Sequence, residues 1–247
     1  MSIEAYLVLS WPDLIAVVWL SVCWLGYARF ARLQARKTHC IASTLHYHRK
    51  QWMRAMMHRD QRVADASLLS NLERNASFLA STAILVIAGL VTSVVSVDKV
   101  HGMLQSVPFF NSAASPHQLQ FKLILLLMIF VYAFFTFTWA MRQYGFCAVL
   151  LGAAPNVDIS GETPEFIENY AVRTAKVIDL AGHSYNYGLR AYYFSLSILA
   201  WTLSVWAFIA SVAAVVVVLY AREFHSPTLM SLVSAGDIEN RRKTPKK

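Results

Sequence analysis

Four long apolar stretches alternate with polar segments along the chain. They cover approximately residues 14–31, 76–97, 119–141 and 193–220. A transmembrane helix needs about 20 predominantly apolar residues to cross a hydrocarbon core of about 30 Å, and each stretch approaches or exceeds that length. The pattern predicts an all-α fold, an integral membrane four-helix bundle with two helical cytoplasmic loops.

The charge content of the four stretches supports this prediction. The second and fourth contain no Asp, Glu, Lys, Arg or His, and the whole chain is 57% hydrophobic with only 15% charged residues. The first stretch is shorter and ends in the basic segment RFARLQARK. The third carries Lys122 near its start, where a lysine is able to extend its ammonium group to the lipid headgroups. All four stretches are therefore predicted to span the membrane. The lipid bilayer is the first partner that the sequence predicts.

The distribution of basic residues predicts the orientation. Residues 29–74 contain ten Lys or Arg against three acids, whereas 98–118 contains one lysine against one aspartate. Because loops rich in Lys and Arg stay on the cytoplasmic side, loops 32–75 and 142–192 are placed inside a bacterial inner membrane and both termini outside. The C-terminal segment RRKTPKK is basic, which does not agree with a C-terminus on the outside. It begins about twenty residues past the fourth stretch, at the limit of that rule, so 221–247 is interpreted as a flexible tail.

The first loop has the periodicity of an amphipathic helix. Apolar residues recur at spacings of four and seven, namely at Ile41, Leu45, Trp52, Met56 and Val63. Such spacing puts them on one face of a helix. Arg and Lys fill the other faces, so the helix is suited to anionic lipid headgroups, with its apolar face toward the lipid or the bundle. Nucleic-acid binding is not favoured, because the bias toward basic cytoplasmic loops already explains the charge.

Four histidines in the same loop raise the question of a metal or haem site. His46 and His48 are two residues apart and point about 200° away from each other on a helix. No cysteine or carboxylate lies three or four residues from either one to complete a metal-binding face. No histidine falls within a predicted span either. The histidines are therefore interpreted as surface residues, with no metal and no cofactor predicted, and the three scattered cysteines as packing residues.

The second loop begins with turn residues and then becomes helical. Thr163 followed by Pro164 and Glu165 is the pattern of a helix N-cap with proline at the first helical position. An apolar face follows from Phe166 to Ala181, and Gly182 is able to end or bend the helix. The segment HSYNYGLRAYYFSL then leads into the fourth predicted span.

Polar residues gather at the predicted inner ends of the second, third and fourth spans. We name this set the polar collar, and its members are Arg74, Arg142, Gln143, Tyr144, His183, Asn186 and Arg190. One interpretation is structural, in which the groups satisfy each other's hydrogen bonds between spans and loop helices. The other is functional, a basic and aromatic pocket for an anion or a lipid headgroup.

Three segments resemble a known family. RNASFLASTAILVIAGL, YAFFTFTWAMRQYGFCAVLLGAAP and HSYNYGLRAYYFSLSILAW are similar to segments of the bacterial and plant membrane family called domain of unknown function 599 (DUF599), from about Asp13 to Tyr220. The resemblance implies a single four-span domain, 1–220, and provides no catalytic assignment. It also implies that the family's motif positions are Arg74, Arg142, Gln143, Tyr144, Gly152, Pro155, His183, Asn186, Gly188 and Arg190.

Three classes of function survive these observations. A non-enzymatic oligomeric channel, or a protein for permeation of small solutes or anions, is favoured, and it requires a homo-oligomer because four spans are few. The alternative is a scaffold or assembly partner that uses the basic cytoplasmic loop. A membrane enzyme is less favoured, since the sequence lacks the H-E-x-x-H, G-x-S-x-G and Walker A signatures, and no catalytic residue is predicted. An ion-coupled pump is disfavoured because no acid, base or histidine lies in the middle of a predicted span.

Overall fold

The computed structural model describes residues 11–34, 40–106, 115–158 and 160–243. Throughout these ranges every regular element is helical. The helices are α1 (Trp11–Gln34), α2 (Ile41–Met57), α3 (Val63–Val95), α4 (Val97–Gln105), α5 (Pro116–Ala153), α6 (Pro164–Trp201), α7 (Val205–Phe224) and α8 (Pro227–Lys243). The all-α prediction is confirmed.

Four helical segments are long and apolar enough to cross a membrane, as predicted. They are Trp11–Gln34, Val63–Val95, Pro116–Ala153 and Val205–Gly236. The first three contain the first three predicted spans almost entirely. The fourth differs from its prediction, as described below.

The chain forms two compact units. The described part of the first, which we name the apolar unit, comprises 11–31, 80–106, 115–135 and 187–219. The described part of the second, the polar unit, comprises 32–34, 40–79, 136–158, 160–186 and 220–243. Helices α1, α3, α5, α6 and α7 each contribute residues to both units.

Aromatic side chains fill the interior of the apolar unit. The Trp24 ring stacks on Phe194 at a centroid distance of 5.5 Å, and Trp201 stacks on Phe208 at 4.5 Å. Phe194, Trp201 and Phe208 are completely buried. Large apolar side chains such as Leu85, 74% exposed, cover its outside. A surface of that kind is matched to lipid rather than to water.

Lys122 lies inside the apolar unit and does not extend toward the headgroups, so that expectation was wrong. Its side chain is buried, and its Nζ donates to the main-chain oxygen of Trp201 at 3.1 Å. The Trp201 Nε1 in turn donates to Oδ1 of the buried Asp13 at 2.9 Å. The last carbonyls of a helix have no partner within the helix, and the positive ammonium group satisfies one of them at the end of α6.

The core of the polar unit brings α2 together with those parts of α3, α5 and α6 that belong to this unit. Met53, Met56 and Met57 of α2 are completely buried, and they belong to one cluster with Tyr144 of α5 and Ile178 of α6. The periodicity correctly predicted a helix in this loop, although α2 ends at Met57 and Val63 begins α3. The apolar face of this helix was predicted to contact either the lipid or the bundle, and in the structure its methionines pack against the helices of the bundle.

The predicted continuous span over 193–220 was wrong. Helix α6 begins at Pro164, where Thr163 caps it as predicted, since the Phe166 N–H donates to Thr163 Oγ1 at 3.3 Å. It continues through both Gly182 and Gly188 and ends at Trp201. A new helix begins at Val205, where Ser204 Oγ accepts from the Ala207 N–H at 3.0 Å. Hydropathy alone does not reveal this turn, because the residues on both sides of it are equally apolar.

The C-terminal segment also differs from its prediction. Instead of a flexible tail, residues 227–243 form α8, which packs on α2 in the polar unit. A ring nitrogen of His48 lies 3.0 Å from the Leu232 main-chain oxygen, and Gly236 lies against the Tyr47 ring. A membrane cannot separate two helices in contact, so placing the C-terminus on the opposite side from the basic loop was wrong. The positive charge of RRKTPKK now agrees with that of the loop.

Candidate functional site

The two units divide the polar collar. Arg74, Arg142, Gln143, Tyr144, His183 and Asn186 belong to the polar unit, whereas Arg190 belongs to the apolar unit. Arg190 has aromatic neighbours within the apolar unit. Its guanidinium carbon lies 5.1 Å from the centroid of the Tyr27 ring and 5.8 Å from that of Tyr187. Cation–π contacts of this kind hold an arginine side chain beside an aromatic one.

Two collar residues are buried within the polar unit. Gln143 is 7% exposed, and its Oε1 accepts a hydrogen bond from Ser184 Oγ at 2.8 Å. Tyr144 is 3% exposed and belongs to the core cluster. These two side chains connect α5 with α6 and with the core.

The other four collar residues of the polar unit have exposed side chains. Arg74 on α3, Arg142 on α5, and His183 and Asn186 on α6 all reach the surface. The Arg142 guanidinium lies over the ring of Phe146, also exposed, with 5.7 Å between its carbon and the ring centroid. The predicted collar therefore consists of buried connecting residues and exposed ones, with different surroundings for each.

A buried carboxylate that the sequence analysis did not single out joins α2 to α6. Asp179 of α6 is 3% exposed. Its Oδ1 accepts from the Arg49 guanidinium at 2.7 Å, and its Oδ2 contacts Nδ1 of His46. Gly182, one turn further along α6, leaves room for this arginine, because an added Cβ would lie 3.0 Å from Arg49 Nη2.

The electrostatic surroundings favour a neutral His46 ring. Desolvation lowers the pKa of His46, and the positive charges of Lys50, Lys176 and Arg49 lower it further, as does His183. A neutral imidazole still carries one N–H, which Nδ1 donates to the carboxylate of Asp179. The Asp179 charge is thus balanced mainly by Arg49, while the histidine supplies a hydrogen bond.

Further ion pairs and hydrogen bonds fix the C-terminal part of α2 and the turn after it. Near its C-terminal end, Arg54 makes a bidentate pair with Glu168 of α6, with Nε 2.8 Å from Oε2. This pair is exposed, and its hydrogen bond lowers the pKa of Glu168. Trp52 Nε1 donates to Oδ1 of the buried Asp65 at 2.6 Å, and Arg59 pairs with the same atom at 2.5 Å.

Arg62 closes the C-terminal end of α5. Its guanidinium donates to the main-chain oxygens of Leu151, Ala154 and Pro155 at 3.1, 2.6 and 3.0 Å. These are orphan carbonyls at and just beyond a helix C-terminus, where a cation is also favoured by the helix dipole. Pro155 is one of the positions that the family resemblance implied, and this contact gives the turn a physical role.

The described ranges contain no group of three or more His, Cys, Asp or Glu side chains that could hold a metal ion. His46 and His48 point to different neighbours, as their spacing predicted. The first contacts Asp179 of α6 and the second faces α8. The search for cysteines and carboxylates three or four residues from His46 could not find Asp179, because Asp179 is 133 residues from His46 in the chain. The available signal was its position among the apolar residues of α6, where a carboxylate needs a partner.

Comparison with known proteins agrees with the resemblance seen in the sequence. No curated protein and no solved structure matches the chain. Residues 15–228, most of the chain, match the family described as "Protein of unknown function, DUF599". With four helices able to cross a membrane and the motif residues placed as described above, this chain belongs to the DUF599 family.

Proposed function

We propose that the protein is a non-enzymatic membrane scaffold whose polar unit docks a partner protein at the inner face of a bacterial inner membrane. In this proposal α1, α3, α5, α6 and α7 all cross the membrane. The start of α1 is outside, and α2 and α8 are inside. The crossing of α6, which is not among the four segments found long and apolar enough to cross by themselves, is part of this proposal. An inside position of α2 and α8 agrees with the basic character of 29–74 and of the C-terminal end.

The observation that carries the proposal is an exposed stripe on the inner part of α5. Arg142, Phe146 and Val149 are exposed at spacings of four and three, and so lie on one helix face. Aromatic residues and arginine are the side chains that contribute most to protein interfaces. The stacking of Arg142 on Phe146 presents both groups together.

The length of α5 supports a location outside the hydrocarbon for this stripe. The helix has 38 residues and is about 57 Å long, whereas the hydrocarbon core is about 30 Å thick. Val149 lies about 50 Å along the helix from Pro116. Lipid is therefore a poor explanation for its exposure of 70%, and a protein surface is a better one.

The interior of the apolar unit favours a scaffold over permeation through one subunit. Among its described residues, the buried polar side chains are Asp13, His101, Lys122, Ser195 and Ser197. Asp13 and Lys122 are both bound to Trp201, and large aromatic rings fill the space near them. Permeation of anions or small solutes between the subunits of a homo-oligomer stays a second prediction. A flux assay tests it.

Site-specific photo-crosslinking in cells tests the proposal. A photoreactive residue at Val149 should give a discrete band of higher mass, and a second substitution, Arg142→Glu, should remove it. The matched control carries the photoreactive residue at Leu85, on the exposed surface of the apolar unit, and should give no such band. Equal crosslinking at both positions, or none at Val149, would refute docking at the stripe. Anion flux into liposomes above that of empty liposomes would favour permeation instead.

A further inference from the structure

A cluster of basic side chains lies around the contact between His46 and Asp179. Its members come from two packed helices, and we name them the α2–α6 basic cluster: His46, Arg49, Lys50, Lys176 and His183. On α6, Lys176, Asp179 and His183 follow one another at spacings of three and four, which puts them on one helix face. On α2, Arg49 and Lys50 lie three and four residues after His46, which puts each of them beside it on the helix. Asp179 joins the two faces through His46 and Arg49.

The cluster has more positive than negative charge. Arg49, Lys50 and Lys176 provide three positive charges, and Asp179 provides one negative charge, which leaves a net charge of 3 − 1 = +2 before the two histidines are counted. Glu168 also feels the charge of Lys50. The Glu168 carboxylate, however, already forms a bidentate pair with Arg54. The cluster therefore keeps its excess of positive charge.

Lys50 and Lys176 are accessible to solvent, whereas Asp179 is buried. Lys176 and His183 are exposed, and Lys50 and His46 are half-buried. Asp179 and Arg49 form the floor, with side chains only 4% and 21% exposed. The two ammonium groups and the imidazole next to this buried ion pair are donors that an anion can use. The positive charges that act together on His46 also repel one another, and a bound anion reduces that repulsion.

We propose that the α2–α6 basic cluster binds a phosphate group, carried by an anionic lipid headgroup or by a free phosphorylated molecule. Phosphate provides several strong acceptor oxygens and up to two negative charges, and so it matches both the number of donors and the net charge of +2. Lys50 and Lys176 bind the phosphate oxygens, and the imidazole of His183 donates a third hydrogen bond. This site is on α2 and α6, separate from the exposed stripe of α5, and the proposal does not depend on the scaffold function.

Native mass spectrometry of the full-length protein released from detergent tests this site. The probes are dioleoylphosphatidylglycerol, which carries a phosphate with net negative charge, dioleoylphosphatidylcholine, which has no net charge, and inorganic phosphate. The test variant is Lys50→Gln/Lys176→Gln. The matched control, Arg173→Gln/Arg222→Gln, removes two exposed cations of the same polar unit outside the cluster. Thermal unfolding of all three proteins shows that each one folds.

The wild-type protein and the control should retain phosphatidylglycerol in preference to phosphatidylcholine. The test variant should lose affinity for it about fivefold for each lysine removed. If inorganic phosphate stabilises the wild type and the control but not the test variant, with no preference for the lipid, the phosphate comes from a free molecule. Equal retention of phosphatidylglycerol by test variant and control, with no difference in stabilisation by inorganic phosphate, would overturn the proposal.

Discussion

Replacing Asp179 by asparagine tests whether the buried network holds α2 against α6. The side chains are nearly equal in volume, so the change removes a charge and leaves the packing. Breaking a buried ion pair by removing one partner costs about 3–5 kcal/mol, because the other charge stays buried. Arg49 keeps 21% of its side-chain surface exposed, and so we expect a loss near the lower end, about 3 kcal/mol.

Thermal unfolding in detergent, followed by circular dichroism, measures this loss. For a domain of this size a loss of 1 kcal/mol lowers Tm by about 2–4 °C, so Asp179→Asn should lower it by about 6–12 °C. The matched control is Glu168→Gln, which removes the acid of the exposed pair between the same two helices. Exposed pairs contribute about 0–1 kcal/mol, and this variant should unfold close to the wild type.

The double variant Asp179→Asn/Arg49→Met separates the two causes of destabilisation. If the loss comes mainly from leaving the Arg49 charge uncompensated, removing that charge as well should restore a large part of the stability. A result in which Asp179→Asn and Glu168→Gln have the same Tm would refute the reasoning. So would a double variant whose loss is the simple sum of the two single losses, because the pair would then not be coupled.

Two further substitutions test other contacts. Lys122→Met removes the charge–carbonyl hydrogen bond at the end of α6 and the cation that faces Asp13, and we expect a loss of about 2 kcal/mol in unfolding free energy. The exposed control Lys99→Met should change it by less than about 0.5 kcal/mol, and equal losses would contradict the role of Lys122. Gly182→Ala places a Cβ 3.0 Å from the Arg49 guanidinium, so hydrogen exchange around Arg49, in the middle of α2, should become faster. Unchanged exchange would show that Arg49 moves aside without cost.

The sequence was sufficient to predict the helical membrane fold, because long apolar stretches without charge have few other stable structures. The first three spans, the helix of the basic loop and the start of α6 at Pro164 all agree with the structure. The turn between Trp201 and Val205 could not be predicted in the same way, because the hydropathy is continuous across it. The hydrogen bond from Lys122 to the last carbonyl of α6 comes from a residue that is distant in the chain, and local hydropathy does not reveal it.

The polar residues were harder to place than the helices. Sequence position put the collar residues near one another along the predicted spans, yet helix rotation buries Gln143 and exposes its neighbour Arg142. The buried interhelical network from His46 and Arg49 to Asp179 joins residues more than a hundred positions apart. Local spacing rules detect partners three or four residues away and therefore cannot find it.

The side of the membrane on which the C-terminus lies tests the account most directly, because the scaffold needs α2, α8 and the inner end of α5 on one side. Fusions of green fluorescent protein and of alkaline phosphatase after residue 247 measure this in bacterial cells, with the same fusions after residue 99 as the reference for the outer side. We predict a fluorescent C-terminal fusion and an inactive C-terminal phosphatase, with the reverse at residue 99. An active phosphatase and a dark fluorescent protein at the C-terminus would contradict the account.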